Sequence, residues 1–230
     1  MSLPIVLITG QLLTDEVWQP LRDAWSDREL IIADNQHGET IGEMAQNLLD
    51  NAPEKFILIG HAMGGFVAFD VMRRASERVA KLVLLSTLAS ADGPAQTARR
   101  QGYIELVESG QFNQVVEERI PILFPEAKRR DERLLNIARR MAADTGAETF
   151  LRQQRAIMAR SDSRPTLHEI TVPTLLVWGD QDGITTRANH DEILQGIPHA
   201  RLEVIAGAGH LTTIEMPEVV VPCLTEFIDG

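Results

Sequence analysis

The sequence predicts an α/β fold built on a mostly parallel sheet, and three observations carry that expectation. Six short apolar runs recur without strict alternation, "PIVLIT" (4–9), "LIIAD" (30–34), "KFILIG" (55–60), "KLVLLST" (81–87), "TLLVWG" (174–179) and "ARLEVIA" (200–206), as in parallel strands covered on both faces. Segments with helical spacing separate the early runs, so strand and helix alternate. The alternation then breaks between about Ser90 and Val172, where four helical segments and no convincing strand are found.

The first helical segment follows Thr14 and sets Trp18, Leu21 and Trp25 on one face, with Asp15 and Glu16 favourably placed in its first turn. The second opens on "TIGE" (40–43), a capping box in which Thr40 and Glu43 satisfy each other's backbone amides. In the helical stretch, Phe150, Leu151, Ile157 and Met158 keep their spacing until Pro165 ends it. The expected organisation is a sheet domain of residues 1–89 and 173–230, interrupted by a helical insertion over 90–172.

Composition narrows the function classes. At 230 residues with 44% apolar side chains the chain can bury one substantial core. A net charge of −11, with basic residues interleaved among acids, argues against binding nucleic acid. Residues 90–172 carry 13 basic and 12 acidic side chains and the remainder 9 and 21, so nearly all the negative charge sits on the sheet domain. Solvated helix faces explain that division more simply than an insertion that attracts carboxylate-bearing substrates.

The lone Cys223 fits a reducing compartment and reads as a packing residue. There is no C-x-x-C or H-E-x-x-H, so no metal is expected. The amino terminus lacks the basic start and small-residue cleavage site of a signal peptide, and no run approaches the roughly 20 apolar residues that span a bilayer. A cytoplasmic protein without a membrane segment is the expectation.

The stretch "IGHAMGGFVAF" (59–69) carries the chemistry. A residue presented at a sharp strand-to-helix corner sits in crowded backbone, so its neighbours two positions away must be small. Gly60 and Gly64 meet that need, and Gly65 lets the following helix approach the sheet. The pattern is G-x-A-x-G where a nucleophile elbow reads G-x-S-x-G. Downstream, "VWGDQDG" places Asp180 and Asp182 just past one strand, and "IAGAGHLTTIEMPE" places His210 just past the next.

Elbow, acid and histidine in that chain order resemble the α/β-hydrolase superfamily, in its small capped branch of esterases and lactonases, over essentially the whole chain. The resemblance implies an α/β-hydrolase core with a helical cap at 90–172. It puts the nucleophile at position 62, the acid at Asp182 and the base at His210, with Asp180 as the competing acid. It puts the oxyanion hole on the backbone amides of Met63 and of Gln11, in a loop that reads "TGQ" where the family usually has His-Gly-x. It implies ester or lactone hydrolysis through an acyl-enzyme, without metal or organic cofactor. The partner expected is a small-molecule ester or lactone.

Expected lining residues are Leu12 and His61 beside Gln11 and Met63, with Phe124 and Met158 from the cap. The loop "GQLLTDEVW" is similar to those of both enol-lactone hydrolases and general carboxylesterases. Cap aromatics are few (Tyr103, Phe112, Phe124, Phe150). Ser86 lies beyond a strand but lacks an elbow's flanking glycines. His37, His168, His190 and His199 read as structural or surface residues, and His61 as a structural residue close enough to touch the pocket.

Ala62 has no Oγ, and losing a triad nucleophile typically costs on the order of 10⁶ in turnover. Three readings follow. One is a deliberate replacement of a nucleophilic serine, favoured because the acid, the histidine and every elbow glycine remain. The others are a natural ligand-binding protein or receptor on a hydrolase scaffold, and different chemistry with His210 acting directly on water or a proton. Acyl preference and oligomeric state are not legible.

Overall fold

All six expected strands form and pair in parallel in the computed structural model, which describes residues 2–230. The chain runs β1 (Ile5–Ile8), α1 (Gln19–Ala24), β2 (Leu30–Ile32), α2 (Ile41–Asn51), β3 (Phe56–His61), α3 (Met63–Ala75) and β4 (Val79–Leu85). It continues through α4 (Pro94–Glu108), α5 (Phe112–Leu123) and α6 (Glu132–Met158). It closes with β5 (Thr174–Gly179), α7 (Arg187–Gly196), β6 (Arg201–Ile205), α8 (Thr212–Glu215) and α9 (Pro217–Asp229).

The sheet order is β2-β1-β3-β4-β5-β6. From β1 the chain first moves outward to β2 and then crosses back to pair β3 on the other side of β1, with Ile8 opposite Gly60. That reversal opens a crevice at the carboxyl ends of β1 and β3, the usual ligand position in such sheets.

Alternate strand residues feed two cores. Leu7, Ile59, Val83 and Val177 join Trp18, Leu21 and Trp25 on one face, together with residues of α5, α6 and α9. Ile8, Leu58, Leu84 and Leu176 pack with α2, α3 and α7 on the other. Central strands β1, β3 and β5 are buried throughout, as the unalternating runs predict. β6 departs from the expectation: Arg201, Glu203 and Val204 are exposed, because β6 lies at the sheet edge.

Among the described residues, the interval between β4 and β5 holds helices and short 3₁₀ turns and no strand. α6 is broken at Gly146, whose φ of 76° and ψ of 167° lie outside the helical region, so the interval contains four helical rods. Two local expectations change. Helix α6 stops at Met158, well before Pro165, which instead opens a 3₁₀ turn over Arg164–Glu169. Thr40 does accept the Glu43 amide at 3.0 Å, but the Glu43 carboxylate accepts from Glu39 rather than Thr40, so the capping box is only half closed. No helix of the described residues is long and apolar enough to cross a membrane.

Candidate active site

β3 ends at His61 and α3 begins at Met63, leaving Ala62 alone at the corner with φ 50° and ψ −110°. Such a conformation is strained for an L-residue and persists only where its surroundings enforce it. Here they do. The Ala62 amide donates to the Leu85 carbonyl at 2.9 Å, and the Thr87 hydroxyl donates to the Ala62 carbonyl at 2.7 Å. A Cβ on Gly60 would stand 2.6 Å from the Gly64 carbonyl oxygen, and one on Gly64 would stand 2.3 Å from that of Ile8. A Cβ on Gly65 would meet the Thr87 hydroxyl at 2.3 Å. The glycines are therefore required by backbone packed against backbone and by the close seat of α3 beside β4.

The acid and the histidine meet across two loops. His210 Nδ1 lies 2.9 Å from Asp182 Oδ2 and 3.1 Å from Oδ1. Asp182 is held in turn by the Thr185 hydroxyl at 2.5 Å and by the Ile184 and Thr185 amides at 2.7 and 3.1 Å. Burial works to raise the Asp182 carboxyl, but the facing His210 and these donors outweigh it and hold it at about 2. The competing acid, Asp180, points elsewhere and accepts the Gly207 amide.

His210 is fixed from behind as well. The buried Glu215 carboxylate accepts the amides on either side of it, Gly209 at 2.9 Å and Leu211 at 3.0 Å. His61 is wholly buried and donates Nε2–H to the His210 carbonyl at 2.8 Å. With Nδ1 of His210 occupied by Asp182, its Nε2 is the nitrogen left for proton transfer.

Both expected oxyanion donors border the cleft, Met63 from the start of α3 and Gln11 from the loop after β1. Neither amide donates to a backbone carbonyl among the described residues. Met63 also sits at a helix N-terminus, where the helix dipole favours negative charge. The cleft brings Gln11, Ala62, Met63 and His210 together.

The remaining lining expectations are corrected. Leu12, Phe124 and Met158 do not border this cleft, whereas their neighbours Leu13, Leu123 and Ile157 do. Leu12 and Phe124 turn into the core on the α5–α6 side of the sheet, and Met158 lines a separate surface depression with Arg155. His61 lies behind the cleft, under His210, rather than in its wall. Ser86 does border it, with φ 47° and a buried, unpartnered hydroxyl.

Two charged residues of the wall, Arg100 and Arg119, are absent from the expected lining. A signal for Arg119 exists in the helical spacing. It follows Val115 by four, precedes Leu123 by four and adjoins Ile120, so it lies on the apolar face of α5.

A nucleophile-shaped corner, a carboxylate-held imidazole and two free amides can together stabilise acyl transfer, given a hydroxyl at the corner. A family model described as alpha/beta hydrolase fold matches residues 39–217. A pimeloyl-[acyl-carrier protein] methyl ester esterase of Edwardsiella ictaluri is 28% identical over 246 aligned residues, covering 98% of this chain and 93% of that protein. A thermophilic esterase from Thermogutta terrifontis, solved with malate bound, superposes with a TM-score of 0.89 at 27% identity, covering 100% of this chain and 90% of its own. An enol-lactonase from Burkholderia xenovorans gives 0.88 at 22% identity, with coverage of 100% and 93%, a likeness of fold. The family match extends from α2 to the start of α9 and takes in the corner, the acid and the histidine: this chain belongs to the alpha/beta hydrolase family.

Proposed function

We propose that the cleft is the acyl-transfer site of a serine hydrolase acting on carboxylic esters or lactones, with position 62 as the nucleophile's place. Ala62 leaves this chain inactive or nearly so. The observation that carries the proposal is the Asp182–His210 pair at 2.9 Å, kept beside a strained corner whose own side chain can use neither.

With serine at 62, the hydroxyl would attack the acyl carbon while His210 Nε2 takes its proton. Asp182, ionised down to about pH 2, would hold the imidazole's orientation and stabilise its cationic form. The Met63 and Gln11 amides would receive the oxyanion. His210 would then return the proton to the leaving alkoxide, and water activated by the same imidazole would release the acid. Residues 90–172 serve as a cap whose helices set the pocket's shape.

The esterases among the relatives support the reaction class, and the loop after β1, similar to those of enol-lactone hydrolases and general carboxylesterases alike, leaves lactones within it without favouring them. The intact remainder of the site favours a serine replaced in a competent enzyme. A cytosolic location, from the single cysteine, belongs to the same proposal.

Covalent labelling tests it. Treated with a fluorophosphonate, Ala62→Ser should gain the phosphonyl group at residue 62 with loss of fluoride while the parent chain gains none, and a folded Ala62→Ser protein that stays unlabelled would overturn the assignment of the nucleophile's place.

A further inference from the structure

Burying a guanidinium without a carboxylate beside it is costly, and such a group is seldom kept without a use. Arg119 is one. It borders the cleft, makes no ion pair among the described residues, and its Nε–H is buried without a partner. Its Nη2 donates to Gln11 Oε1 at 3.3 Å, and the Gln11 amide nitrogen is likewise buried and unpartnered.

The surroundings add positive charge. Arg100, in the same wall, pairs with Asp92 at 2.6 Å, but Asp92 is shared with Arg160 at 2.7 Å. Two guanidiniums therefore share one carboxylate, and Arg119 has none of its own among the described residues. Burial first, and then the neighbouring Arg100, push Arg119 down to about 10, which leaves it cationic at neutral pH.

Two aromatic rings also flank it. The guanidinium lies 5.2 Å from the Tyr103 ring centre and 5.8 Å from that of Phe150, rings contributed by α4 and α6. Aromatic faces hold an arginine in place without consuming its N–H donors. A cation with a buried, unused Nε–H, next to a free amide NH₂, matches the two oxygens of a carboxylate.

We propose that Arg119 and the Gln11 side chain form a carboxylate-binding subsite, so that the ester or lactone taken by this cleft carries a second, free carboxylate. The inference rests on the hydrolase proposal and narrows its substrate class to half-esters of dicarboxylic acids and lactones bearing a carboxylate. Gln11 then serves twice, its backbone amide toward the oxyanion and its side chain toward the distal anion.

The chain as it stands suits the test, because Ala62 leaves a bound ester intact. Calorimetric titration with monomethyl glutarate and monomethyl adipate, each against its dimethyl ester, should show one half-ester binding about tenfold or more tighter than its neutral counterpart. Arg119→Met should cut that preference about 10- to 100-fold, the range for a hydrogen-bonded charged group. Its melting temperature should equal or exceed the parent's, since an unpaired buried cation has been removed while the aliphatic packing stays.

A half-ester preference that survives in folded Arg119→Met would overturn the subsite, as would equal binding of half-ester and dimethyl ester, or no binding at millimolar ligand. Inorganic phosphate bound more tightly than either half-ester would overturn the carboxylate assignment. A fall in melting temperature with an unchanged preference would make Arg119 structural. Turnover by Ala62→Ser is a separate readout: discrimination without turnover leaves the subsite and removes the hydrolase proposal, and turnover without discrimination does the reverse.

Discussion

His61, the residue immediately before the corner, donates its Nε2–H to the backbone carbonyl of His210 at 2.8 Å, with the two rings 5.0 Å apart. The last residue of β3 thus spans 149 positions to brace the loop that carries His210. The corner and His210 share one support, so their relative position does not depend on a surface loop alone. A proton on His61 would place a positive charge in a buried site beside His210, and burial together with that neighbour pushes His61 down to about 3.

Acid stability should register this. The native state keeps His61 neutral down to about pH 3, while the unfolded chain takes up a proton near 6.5, so the unfolded state binds more protons between those limits. Stability therefore falls as pH drops below 6.5, by up to about 1.4 kcal/mol per pH unit from this group. Urea unfolding of the parent and of His61→Gln between pH 8 and 5 should show a shallower slope in the variant; parallel slopes would contradict the assignment.

Asp182 is also held below its ordinary value, but for a carboxyl group a lowered value stabilises the fold. Its native value, about 2, lies below the ordinary 3.8, so its contribution is complete above the unfolded value and is lost as pH falls from about 4 toward 2. The size is about 2 kcal/mol. Asp182→Asn should lack this acid-side loss in the same unfolding series. In the Ala62→Ser background it should lower kcat by about 10⁴-fold, because an amide cannot hold the imidazole in the required tautomer.

Gly64 offers a stability test at the corner. A Cβ there would press on the Ile8 carbonyl oxygen at 2.3 Å and on Ile8 Cβ at 3.0 Å, with main chain on both sides and no flexible group to yield. Gly64→Ala should destabilise the fold by about 1–3 kcal/mol or more, the cost of overpacking. Gly102, where an added Cβ meets nothing within 4 Å, is the control: Gly102→Ala inside α4 should stabilise by about 0.5–1 kcal/mol. Equal effects at the two sites, read from melting curves, would contradict the packing account.

How legible these features were depended on how local their causes are. The Gly60 requirement is local, since an added Cβ there meets Gly64, while those of Gly64 and Gly65 come from Ile8 and Thr87, yet the G-x-A-x-G spacing makes Gly60 and Gly64 readable. Asp182 and His210 follow from chain order at successive strand ends. The wall of the cleft is different. Leu13, Leu123 and Ile157 line it while the expected Leu12, Phe124 and Met158 do not, an offset of one residue in each case. Periodicity identifies a buried face, but the rotation of one element against another decides which of two adjacent apolar side chains meets the cleft. Leu12 shows a further cause, since its φ of 61° reverses the chain direction within the loop. Arg119 was hidden by composition. In "VVEERI" it looks like one member of a solvated charge run, and only Tyr103 and Phe150 from neighbouring helices enclose it.

The most direct measurement is the turnover of a short-chain activated ester and of a lactone panel by Ala62→Ser, beside Ala62→Ser/His210→Ala and the parent chain. The account predicts activity in the single variant that exceeds the parent on the order of 10⁶-fold and collapses in the double variant. A folded Ala62→Ser protein without activity on any ester or lactone, or activity that survives the loss of His210, would contradict it.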